Sequence, residues 1–169
     1  MAIAPATALI FLPFAILVGI WVAWSDMKFM KIPNKAVAAL FWIFVVTGLL
    51  ALPFTEYLWR YLHIAVVLVV TFLANQVRLM GAGDAKFLAV MAPFVDRGDI
   101  AVIAPIFAAV LLAAFATHRI FRAIPAMRRG FPDWKSWENP KFPMGFALSG
   151  TLIIYLALGT LIGAQPPTL

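Results

Sequence analysis

The chain has 169 residues, of which 64% are hydrophobic and 12% charged, and its mean hydropathy is +0.99. An average soluble domain is roughly 45–50% apolar and about 25% charged, so a chain this short carries too much apolar surface for water, and an ordinary cytosolic enzyme is excluded. The absence of cysteine removes disulfides, thiolate metal sites and cysteine nucleophiles, and a net charge of +6 on so apolar a chain reads as membrane orientation, not nucleic-acid binding.

A helix needs about 20 apolar residues to cross the hydrocarbon core. In chain order, charge-free stretches of that size run over Met1–Trp24, Ala36–Thr55, Tyr61–Val77, Ile100–Thr117 and Phe142–Leu169. A sixth candidate, Leu79–Val95, carries Asp84 and Lys86. With six spans, the segments 25–35, 78–86 and 118–141 share one side and hold eleven of the Lys and Arg residues, leaving Arg60 and Arg97 on the other. The positive-inside rule therefore predicts six crossings with both termini outside the cytoplasm. The first span lacks a basic segment before it, so it reads as a retained anchor and not a cleaved signal peptide. Continuous apolar runs do not alternate as barrel strands do. The expected fold is all-α, a single polytopic transmembrane domain over residues 1–169 with six transmembrane helices.

Five of the seven acids have a plain reading as solvated loop charge: Glu56, Asp96 and Asp99 in short outer turns, and Asp133 and Glu138 in the basic inner loop. Asp26 and Asp84 differ. Asp26 closes the first span after 25 uncharged residues. Asp84 falls inside the sixth candidate, roughly 7 Å deep if that helix starts near Leu79, and ionisable groups at such depth signal function by default. Singly, Asp26 also reads as a juxtamembrane charge and Asp84 as an interfacial cap after Gly83. Together, they sit at the same end of two spans. Adjacent carboxyls share a proton, because two like charges cannot both ionise cheaply. One can then deprotonate a water while the other protonates a scissile carbonyl. The macrodipole assigns the proton to Asp26, at a helix C-terminus, and the carboxylate to Asp84, near an N-terminus. Gly81 and Gly83 allow unusual dihedrals and close approach of a substrate backbone beside Asp84.

Met80-Gly81-Ala82-Gly83-Asp84-Ala85-Lys86 resembles the G-x-G-D-x-K signature of the type IV prepilin peptidases, a family of intramembrane aspartyl proteases. Asp26 followed by Lys31-Ile32-Pro33-Asn34 is similar to the family's first catalytic segment. Pro143-Met144-Gly145-Phe146-Ala147 resembles its third element, P-x-G-x-A, with Phe146 where proline is common, and would make Pro143 and Gly145 substrate contacts. The resemblance implies catalytic Asp26 and Asp84, with Gly81, Gly83, Lys86, Lys31, Pro33 and Asn34 supporting them. It implies cleavage of the basic leader from prepilin-like precursors at the cytoplasmic boundary of a bacterial inner membrane. Larger members carry a cysteine-rich insertion between the first two spans and methylate the product with S-adenosylmethionine. Here that connection is about ten residues and has no cysteine. The compact form resembles the Tad/Flp-pilus peptidases, which implies no methylation, no cofactor and no metal.

Asn34 reads as a cap for the second helix after Pro33. Lys86, two positions past Asp84, points about 200° away on a helix and reads as a headgroup or loop contact. The loop from His118 to Pro143, with Arg119, Arg122, Arg128, Arg129, Trp134 and Trp137, reads as an interfacial segment on anionic membrane lipids; the alternative is a mobile cover over the acids. His63 and His118 read as interfacial, and Gly159 and Gly163 as helix packing. Two rival functions stand beside the protease: a small proton-coupled transporter or channel using Asp84 as a relay, and a non-catalytic scaffold.

Overall fold

The computed structural model describes residues 1–164. Helices account for nearly all of it, with no strand among the described residues: α1 (Pro5–Phe29), α2 (Asn34–Ala51), α3 (Phe54–Gln76), α4 (Ala82–Met91), α5 (Ile100–Ala123), α6 (Pro125–Gly130) and α7 (Met144–Ile162). Five of these, α1, α2, α3, α5 and α7, are long and apolar enough to cross a membrane. The all-α, polytopic expectation is met. The last five residues of the expected final span, 165–169, lie outside the described residues.

The expected sixth full-length span, Leu79–Val95, is corrected. It is a ten-residue helix, α4, extended by a 3-10 turn over Ala92–Phe94. That gives about 15 Å of α-helix where a crossing needs about 30 Å. The helix begins only after its N-cap Gly81, and Pro93 ends its regular hydrogen bonding. The segment nevertheless runs back antiparallel along α3. The Thr71 hydroxyl donates to the Ala85 carbonyl (3.2 Å) near one end, and Arg60 Nη1 donates to the Pro93 carbonyl (3.0 Å) near the other. Irregular backbone is tolerated at membrane depth where protein covers it, and Phe87, Ala89, Val90, Met91 and Phe94 are all buried.

Small residues set the tightest packing. A Cβ on Gly19 would lie 2.8 Å from Ile153 of α7, and one on Gly159 would lie 2.8 Å from Ile3 and 3.0 Å from Ala8. α1 and α7 therefore approach through small surfaces, where dispersion does the work that the hydrophobic effect cannot do in lipid. Phe11, Phe44 and Phe94 interlock behind them, with ring centroids 5.0–6.2 Å apart.

At one end of the bundle, Asp99, expected to be a solvated turn charge, is instead interior, while Glu56 and Asp96 keep partial exposure. Arg60 is 2% exposed and donates to Glu56, Asp96 and the Pro93 carbonyl. Asp99, 1% exposed, accepts from the Ala2 and Ile3 amides (2.6 and 3.0 Å) and the Tyr155 hydroxyl (2.8 Å). The network ties the N-terminal segment to α3, α5 and α7. Sequence patterning could not place these turns against each other.

Candidate active site

Asp26 sits in the last turn of α1, which Met30 closes in the left-handed conformation (φ 55°) while its amide bonds the Asp26 carbonyl. The Ser25 hydroxyl donates to the Lys31 carbonyl (3.0 Å), folding the connection back beneath the helix. Asp26 is 5% exposed, and its Oδ2 accepts the Gly145 amide at 2.6 Å, from the first turn of α7. Asp84 lies in the first turn of α4, half-buried, behind the turn that Arg78 makes at φ 60°. Asn75 Nδ2 holds that turn by donating to the Met80 carbonyl (2.9 Å).

Both carboxyls line one cavity of about 1080 Å³, together with Lys31, Asn34, Asn75, Arg78, Gly81, Gly83 and Lys86. Among the described residues neither acid has a salt bridge, and neither accepts a hydrogen bond from a side chain. Buried Ile32 joins the two halves: its side chain would be 3.0 Å from a Cβ on Gly145 and 3.4 Å from one on Gly83. The cavity contains what a hydrolytic dyad requires, two carboxyls facing a shared polar space with no cation to hold either as a fixed structural anion. No group of three His, Cys, Asp or Glu side chains suited to a metal ion occurs among the described residues.

The glycines serve close approach, and the expectation of unusual dihedrals is corrected: no glycine here has positive φ. A Cβ on Gly81 would meet Asp84 Oδ2 at 2.7 Å, and one on Gly145 would meet Asp26 Oδ2 at 2.9 Å. At Gly83 the contact with Ile32 would be an ordinary 3.4 Å. Two of these glycines therefore set where the carboxyls can stand, while the third is less constrained.

Asn34 does not cap α2, whose N-cap is Pro33; its side chain accepts from Lys86 Nζ at 3.3 Å, bridging the two motifs on the exposed rim. Pro143 is the buried N-cap of α7 and positions the Gly145 amide. Part of the loop before it packs on protein. Trp137 is buried and stacked on His118 (5.4 Å, 18°), Trp134 stacks on Trp137, and Lys141 and Phe142 form part of the cavity wall. His118 is 2% exposed, covered by Trp137 and by Phe142. Sequence reasoning missed Asn75 and the pivotal place of Ile32. A lone amide closing an apolar run was the available signal for Asn75.

A profile of the type IV leader peptidase family matches residues 12–119, more than half of the chain and inclusive of both aspartates. No curated protein and no solved structure matches. The chain belongs to the type IV leader peptidase family.

Proposed function

We propose that this family member is an intramembrane aspartyl endopeptidase that removes the basic leader from Flp-like type IV prepilins. The observation that carries the proposal is Asp26 and Asp84 on one polar cavity, each without a cationic partner among the described residues. The family supplies the substrate class in general terms, prepilin precursors. Because the fourth segment, though short, returns the chain along α3, the basic segments 25–35, 78–86 and 118–141 keep to one side, and their eleven-to-two excess supports a position in the bacterial inner membrane with both termini periplasmic and the acids at the cytoplasmic side.

In the mechanism, Asp84 as carboxylate takes a proton from a water while the water oxygen attacks the scissile carbonyl carbon. Asp26 delivers its proton to the carbonyl oxygen. The Gly145 amide is bonded to Oδ2 of Asp26, so the transferable proton belongs on Oδ1. Collapse of the tetrahedral intermediate breaks the C–N bond. The leaving nitrogen takes the proton held by Asp84, and Asp26 recovers its own from the former carbonyl oxygen. Gly81 and Gly145 keep the carboxyls where the peptide can reach them, and Lys31, Pro33, Asn34, Gly83 and Lys86 shape the rim. None of these steps calls on a metal or a cofactor.

The test is co-expression with a prepilin. Asp26→Asn and Asp84→Asn should each abolish processing while the proteins insert and unfold as the parent does. A proton-coupled transporter would respond to Asp84→Asn and tolerate Asp26→Asn; a scaffold would tolerate both. Infrared titration that finds the resting proton on Asp84 would overturn the assignment of acid and base.

A further inference from the structure

α3 and α5 have little or no contact with each other. Between them lies an apolar groove of about 550 Å³ whose floor is the short fourth segment. The α3 wall presents Trp59, Leu62 and Val66, one face at helical spacing, and each is about half exposed. The α5 wall presents Ile100, Ile103 and Phe107 at the same spacing. Because α4 is short and buried, the lipid side of this slot is open where a full-length helix would otherwise stand. At its inner end the groove shares the lining residues Leu88, Phe107 and Leu148 with the cavity of the two aspartates, so the two spaces adjoin.

We infer that this groove seats the apolar membrane helix of the precursor and delivers the end of that helix to Asp26 and Asp84. The inference rests on the peptidase reading above and adds to it the subsite for the substrate's stem. Three physical points carry it. The lining offers few polar groups, chiefly His63, Arg97 and Thr151, so an occupant must satisfy its own backbone, as a helix does. The matched faces of α3 and α5 suit ridge-into-groove packing of a third apolar helix lying alongside them. Past Leu88 the lining becomes polar, with Asn34, Asn75 and Lys31, and there an unwound segment finds the hydrogen-bond partners that a peptide bond needs before hydrolysis. The groove holds the helix and the cavity accepts the unwound end.

The chain has no cysteine, so single cysteines can be placed without background. In the inactive Asp84→Asn protein, Val66→Cys should cross-link to stem cysteines three or four residues apart on one face of a prepilin. Leu112→Cys, exposed on α5 and outside the groove, should not. Equal cross-linking from both positions overturns the inference, as does cross-linking of Val66→Cys to a second copy of the protein in place of the stem. Ala104→Trp, which fills the groove from α5, should slow cleavage of the intact precursor at least about tenfold more than cleavage of a stem-less leader peptide. Equal slowing of the two means that the groove holds only lipid chains and overturns the inference. Cleavage of the stem-less peptide by the Asp84→Asn protein would instead overturn the aspartate mechanism, whatever the groove does.

Discussion

At the end of the bundle where α3 begins, every acid has a donor: Glu56 and Asp96 on Arg60, and Asp99 on two backbone amides and Tyr155. At the other end, Asp26 has one amide and Asp84 has no side-chain donor, and both face an open polar cavity. On the proposed function the same residue type does two kinds of work. Acids held by donors within the protein fix the fold, most of all where, as at Asp99, losing a partner would strand a buried charge. Acids that keep free lone pairs on one cavity can exchange protons with a substrate. The lesson is that burial does not distinguish the two roles, since Asp26 and Asp99 are both nearly inaccessible. Engagement of their oxygens does.

That contrast predicts opposite outcomes at the two ends. Asp26→Asn and Asp84→Asn should each reduce cleavage by about 10²–10⁴-fold or more, the usual contribution of a general acid or base. The unfolding midpoint in detergent should stay at the parent value. Arg60→Leu should do the reverse, costing about 3–5 kcal/mol of stability, while the protein that remains folded cleaves at the parent rate. Chemical unfolding followed in parallel with turnover of a purified precursor separates the two classes. An Arg60→Leu protein that is stable but inactive would erase the distinction drawn here.

Smaller effects sharpen the comparison within the cavity end. Gly145→Ala should cost about 1–3 kcal/mol through overpacking against Asp26 and Ile32 and reduce kcat as the carboxyl is displaced. Gly81→Ala pushes on the end of the Asp84 side chain, so activity should fall while stability stays within about 1 kcal/mol. Gly83→Ala, with ordinary contact to Ile32, should fall below both in effect on rate. The smallest change is expected at Lys86→Ala, whose bond to Asn34 is exposed; a stability change below about 0.5 kcal/mol and a modest rise in KM would place it on the rim.

Much of the acid end was legible in the chain itself. An uninterrupted apolar run closed by Asp26 is visible without coordinates, because lipid penalises any charge it contains. The same reasoning singles out Asp84 in Leu79–Val95. It failed at Asp99, since a turn residue between spans looks the same whether water or protein surrounds it. It did not reveal the packing of His118, because the stacking partner Trp137 is 19 positions away, across a proline-rich loop whose path no periodicity encodes. The count of full-length helices was also overread, because the positive-inside rule counts how often the chain changes sides and not how long each passage is.

The sequence by itself determined that this chain lives in lipid, that its backbone must close into helices, which end is basic, and which two acids stand apart from the rest. Those follow from transfer energies and residue spacing, which are local. The tertiary structure alone decided that Gly145 of the last helix bonds Asp26 of the first, that Ile32 joins the two motifs, and that α4 is short enough to leave a groove beside it. These depend on which surfaces meet across long stretches of chain, and packing between distant segments is set by the whole arrangement of helices at once.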